Sequence, residues 1–82
     1  MGRSRRDRPG KLGKKLKAIR LEKLALSQTE MAKALALKVN YSAVSQYERG
    51  TREPTLRILL KYARLVGIST DILIDDKLDL PK

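Results

Sequence analysis

The side chains able to do chemistry in this chain are mostly cations. Arg3, Arg5, Arg6, Arg8, Lys11, Lys14, Lys15, Lys17, Arg20 and Lys23 crowd its first part, opposed there only by Asp7 and Glu22. Over 82 residues, 19 Lys and Arg face 9 Asp and Glu, a formal net charge of +10. A surplus of that size is the footprint of polyanion binding. The plainer reading is a soluble surface that happens to be basic. From Asp71 the sign reverses, with Asp71, Asp75, Asp76 and Asp79 against Lys77 and Lys82. One end of the chain attracts an anion and the other does not.

Covalent and acid–base chemistry lacks its usual residues. There is no His, which removes the common general base and zinc ligand, and no Cys, which removes disulfides and thiolate metal sites. No Gly-rich phosphate loop is present. Asp75-Asp76 is a lone acidic pair near the end, better read as solvated than as metal-binding. An enzyme is not expected, nor a cofactor, a metal or a small-molecule ligand. No apolar run approaches the roughly 20 residues of a membrane span. The arginines near the start are not followed by the apolar stretch of a secretory signal. A soluble cytoplasmic protein is expected.

The elements that must carry the charges read as helices. Residues 1–10 lack apolar periodicity and end in Pro-Gly, which suits a disordered basic arm. From Lys11, Leu12, Leu16 and Ile19 share one face, and the helix should fade near Lys23 or Leu24. Lys14, Lys15 and Lys17 lie mostly off that face. Ser27 with Glu30 three positions on forms a capping box, stapled by Leu26 and Met31, and starts a second helix over about 28–36. Asn40 caps a third, with Val39 and Val44 as its staple, and Gly50 suits a left-handed stop. Thr55 caps a fourth helix with Leu56, Leu59, Leu60, Ala63 and Val66 as its apolar stripe, ended by Gly67. Ser69 caps a short fifth helix over about 70–74. No segment alternates with period two, so no sheet is expected. The fold class is all-α: five short helices in a domain spanning 11–76, followed by a tail at 77–82.

The second and third helices stand close together. A steeply crossing pair leaves one helix projecting, with dimensions that suit the major groove of DNA. Close crossing needs a small residue on the second helix and an apolar one pointing back from the third. Ala32 and Val44 meet those needs.

LSQTEMAKAL, then VNYSAVSQYERG, then REPTLRILLKYARLVGIS resemble the XRE family of phage repressors and Cro-type proteins. The likeness covers residues 12–74. Ser-Gln opens helix 2, Glu-Arg-Gly ends helix 3, Pro-Thr opens helix 4 and Gly-Ile-Ser opens helix 5. It implies a repressor-like domain with its helix-turn-helix at helices 2 and 3. Against the family pattern, the connection from helix 1 to helix 2 is about one residue longer. The turn at 36–39 is about two residues longer, with Ala36-Leu37-Lys38 where the family usually has a Gly.

By that resemblance, Tyr41, Ser42 and Gln46 face the major groove. Gln46 can bond an adenine edge with both amide atoms, and Tyr41 meets either a phosphate or a thymine methyl. Gln28 binds a phosphate and buttresses helix 3, Ser45 touches the DNA backbone, and Thr51 and Arg52 bind it just past helix 3. Arg20 and Glu48 match an ion pair that orients helices. Arg3, Arg5 and Arg6 belong to an arm that either keeps the chain soluble or reaches phosphates and the adjacent minor groove. Tyr47 belongs to the core; Tyr62 belongs either to the core or to a dimer contact.

The implied function is sequence-specific binding of double-stranded DNA by a transcriptional regulator, helix 3 reading a two-fold operator. Ile72, Leu73, Ile74 and Leu78 form the spare apolar surface, so a homodimer through the C-terminal region is expected, with Ile72 and Ile74 as contacts. The competing function is a protein-docking module on the same fold, such as an antitoxin or a bridging factor.

Overall fold

The computed structural model describes residues 10–35 and 40–81. The arm with Arg3, Arg5 and Arg6, and the lengthened turn at 36–39, lie outside the described residues. Five α-helices follow one another: α1 Leu12–Ala18, α2 Gln28–Leu35, α3 Tyr41–Arg49, α4 Leu56–Val66 and α5 Thr70–Ile74. The described residues contain no strand.

The helix ends sit where local chemistry puts them. Ser27 Oγ accepts from the Glu30 amide at 3.0 Å while Glu30 Oε1 accepts from the Ser27 amide at 2.8 Å, closing the capping box. Those bonds hold the Glu30 carboxyl below its ordinary range. Asn40, Thr55 and Ser69 each accept an amide of the helix that follows. Gly50 and Gly67 stop α3 and α4 in the left-handed region, at φ 78° and 71°.

Helix α1 does not stop at Ala18. It widens into a π-helical turn over Ile19–Lys23, closed by the Leu24 amide on the Ile19 carbonyl at 3.0 Å. A π turn holds more residues than an α turn over the same span. The π turn falls in the connection that the family resemblance makes about one residue longer, and its geometry has room for such a residue. The chain leaves through Ala25 at φ 55°, a left-handed conformation that costs a non-glycine residue about 1–2 kcal/mol.

Leu12, Leu16 and Ile19 meet Met31, Ala32 and Leu35 of α2, Val44 and Tyr47 of α3, and Leu73 of α5 in one aliphatic core. Helices α2 and α3 pack together with Ala32 and Val44 both buried. Two details differ from the sequence expectation. The inward stripe of α4 is Ile58, Leu59, Tyr62 and Ala63, while Leu56 and Leu60 of the expected stripe are 83% and 39% exposed. Leu56 and Ile58 are both apolar, and Ile58 shares the inward face with the fully buried Tyr62 one turn on. The end of the chain is also less extended than its composition suggests. It turns at Asp75, and Leu80 packs back against the core beside Ile19, Val66 and Ile68.

Candidate nucleic-acid interface

Helix α3 has two faces of different character. Ala43, Val44 and Tyr47 are buried. Tyr41, Ser42, Ser45, Gln46 and Arg49 recur at helical spacing on the other side. Tyr41 is 61% exposed, Ser42 and Arg49 are exposed, and Ser45 and Gln46 are half-buried. The chain therefore presents hydroxyls, an amide and a cation along one stripe of a helix whose back is fixed in the core.

Helix α3 is held by a buried polar cluster. Arg20, displayed by the π turn, donates to both Glu48 oxygens, from Nε at 2.6 Å and from Nη2 at 3.0 Å. Its Nη1 donates to the Leu26 carbonyl at 3.0 Å. Gln28 Nε2 adds a longer bond to Glu48 Oε1 at 3.3 Å. The two charged side chains are only 9% and 4% exposed, and the Glu48 carboxylate holds the Arg20 guanidinium above its ordinary pKa. One cluster thus joins the end of helix 1, the loop after it, the first residue of α2 and the last turn of α3. Gln28 stands in it half-buried, with part of its amide left for an outside partner.

Cations gather past the end of α3. Thr51 and Arg52 are exposed, and the Arg52 guanidinium lies 5.8 Å from the centre of the Tyr47 ring. A cleft of about 380 Å³ joins Arg49, Gly50 and Arg52 to Gly10, Gly13 and Lys14. The sequence alone did not bring Lys14 and Arg49 to this place. Helical spacing from Gln46 and Ser45 could have found Arg49; only the α1–α3 packing shows Lys14.

Three further residues have roles that their sequence context did not suggest. Lys15, expected off the core face, is buried, and its Nζ donates to the Ile72 and Asp75 carbonyls at 2.7 and 2.9 Å. Asp76, expected to be solvated, accepts the Gly10 and Lys11 amides at 2.8 and 3.0 Å. Gly13 lets α1 approach α3, since a Cβ there would lie 2.6 Å from the Glu48 carbonyl oxygen. Its position inside an apolar helical pattern was a signal of close packing. Of the two expected dimer contacts, Ile72 is half-buried and Ile74 is 42% exposed, while Tyr62 is wholly buried in the core.

A family model described as helix-turn-helix matches residues 16–73. The chain belongs to the XRE-type helix-turn-helix family of DNA-binding transcription regulators. Among solved structures, it resembles the P22 c2 repressor protein, crystallised in complex with the synthetic operator 9T in the presence of Tl+. The identity is 31% and the TM-score 0.68, over 79% of this chain and 94% of that one. No curated protein matches at a significant level. Among the described residues of this helix-turn-helix protein, no helix is long and apolar enough to cross a membrane.

Proposed function

We propose that this helix-turn-helix protein is a sequence-specific transcriptional regulator whose α3 reads the major groove of a two-fold operator. The observation that carries the reading is the polar stripe of α3, backed by a buried ion pair that fixes the helix. Tyr41, Ser42 and Gln46 read base edges. Gln28, Ser45, Thr51 and Arg52 hold phosphates, since contacts of that kind set register while base contacts specify. Arg3, Arg5 and Arg6 add backbone or minor-groove contacts from the arm. The repressor structure bound to its operator supports the same reading.

One small domain on one half-site binds weakly, and two copies one helical turn apart gain affinity together. The exposed Ile74 and Leu78, at 42% and 41%, favour pairing through the C-terminal region. Selection of bound sequences from a random duplex pool tests both statements. A palindromic consensus with half-sites about 34 Å apart is expected. Recovery of no consensus, with little affinity for any duplex even at low salt, overturns the reading in favour of a protein-docking module. Ile74→Glu should leave the fold intact and remove dimers in sedimentation.

A further inference from the structure

The two ends of the described chain hold each other. Asp76 receives two consecutive amides, Gly10 on Oδ2 and Lys11 on Oδ1. In the other direction, Lys15 of α1 donates to the last carbonyls around α5, those of Ile72 and Asp75. Four bonds thus clamp the entry of α1 to the exit of α5. Lys11, the residue before α1, offers no side-chain cap of its own; Asp76 instead binds the Lys11 amide from 65 residues away, as the glutamate of a capping box binds the amide of its cap residue. Gly10 also borders the cleft that holds Lys14, Arg49 and Arg52. The arm is therefore rooted beside the basic end of α3, and a carboxylate from the C-terminal segment holds the root.

We propose that Asp76 is a positioning residue for the basic arm. By binding two successive amides with its two oxygens, it fixes the backbone at Gly10 and Lys11, the point at which the arm joins the domain. The arm's share of binding then depends on the C-terminal segment. The inference rests on the DNA-binding reading above. A cap that served α1 alone would alter helix stability without altering what the arm contributes.

The test is a cycle of four proteins: the full chain and the chain lacking residues 1–9, each with and without Asp76→Ala. Each is titrated into a fluorescent random-sequence duplex of about 20 base pairs across a salt series. Deleting the arm from the parent chain should weaken binding and flatten the salt dependence by about 0.9 for each phosphate the arm had neutralised. In the Asp76→Ala background the loss on deletion should shrink at least about threefold. Amide exchange at Gly10 and Lys11 in the free protein should quicken in the same variant. Asp76→Asn keeps one acceptor oxygen and should fall between; it carries the test should Asp76→Ala not fold. Equal losses in the two backgrounds overturn the proposal and leave DNA binding standing. Binding indifferent to arm deletion in the parent chain overturns it as well, while leaving the α3 reading intact. Failure of the full chain to bind any duplex overturns the DNA reading and this proposal with it.

Discussion

Helix 1 is fastened to its neighbours at two places, and the two fastenings are built differently. Toward α3 the joint is buried: Arg20 and Glu48, 9% and 4% exposed, share two bonds, and Leu26 and Gln28 meet their remaining groups. Toward α5 the joint is mixed: Asp76 binds two amides at the surface, while the buried Lys15 gives its ammonium to two carbonyls. A buried pair gains little net stability over apolar packing, because desolvation offsets most of the attraction. It does penalise every arrangement in which one charge loses its partner. The interior joint therefore fixes how α3 is held, in an all-or-none way. The Asp76 side of the second joint is open to solvent and penalises its own opening far less, so it suits a segment whose position can be adjusted.

The largest test of that contrast is Glu48→Ala. It leaves the Arg20 guanidinium buried with one carbonyl, and should cost about 3 kcal/mol by thermal or urea unfolding. The paired replacement Arg20→Met with Glu48→Leu should recover most of that loss while loosening α3 and weakening sequence discrimination. A single-variant cost below about 0.5 kcal/mol, the range of an ordinary surface change, would show that the interior joint is no stronger than the surface one. Next in size is Gly13→Ala. Its Cβ would meet backbone, the Glu48 carbonyl oxygen at 2.6 Å, so no side chain can yield. A loss of about 2 kcal/mol is expected as α1 is pushed off α3.

The contrast also explains what was legible in the chain. Caps at Ser27, Asn40, Thr55 and Ser69, and stops at Gly50 and Gly67, are local chemistry and stand in the sequence as they stand in the fold. Core residues such as Leu16, Met31 and Val44 follow from helical phase. The outward face of α3 follows from the same phase, and the resemblance pointed to Arg20 with Glu48. Pairings across the fold were not legible. Lys15 and Asp76 look like ordinary surface charges until α5 returns to α1, because their partners lie some 57 to 66 residues away. The π turn was hidden for another reason: a π turn keeps the composition of a helix. The exposure of Leu56 was hidden because two apolar residues competed for one inward position. Under the proposed reading, the base that Gln46 or Ser42 would meet depends on docking angle and bridging water, and neither is written in the residues of α3.

A smaller effect belongs to the buried side. Tyr62 is wholly buried, and its hydroxyl has no hydrogen-bond partner among the described residues. Burial pushes its pKa well above the ordinary tyrosine value, with Glu48 adding in the same direction. Tyr62→Phe removes a polar atom that is desolvated without return. The variant should be about 1 kcal/mol more stable than the parent in urea unfolding. Destabilisation of that size instead would show that the hydroxyl contributes to the Arg20–Glu48 cluster.

The smallest effect expected is the response of the surface joint to acid. The Lys11 and Gly10 amides, in that order, hold the Asp76 carboxyl below its ordinary range, and the charges of Lys15 and Lys11 act in the same direction. A carboxyl whose pKa is lowered by folding stabilises the fold above its unfolded pKa. That contribution fades as pH falls through the lower, folded value. Protection of the Gly10 and Lys11 amides, taken against their intrinsic exchange rate at each pH, should therefore fall on acidification below about pH 4, while amides of α3 stay protected until global unfolding. Glu30 shifts in the same direction through its bonds to Ser27, so the comparison belongs in a Glu30→Gln background. Raised salt should weaken the lysine contribution without removing the two amide bonds, because screening acts on separated charges more than on direct contacts. Loss of α3 protection in step with Gly10 and Lys11 would mean that the two joints open together. In that case the surface joint is not separately adjustable, and helix 1 has one fastening distributed over two places.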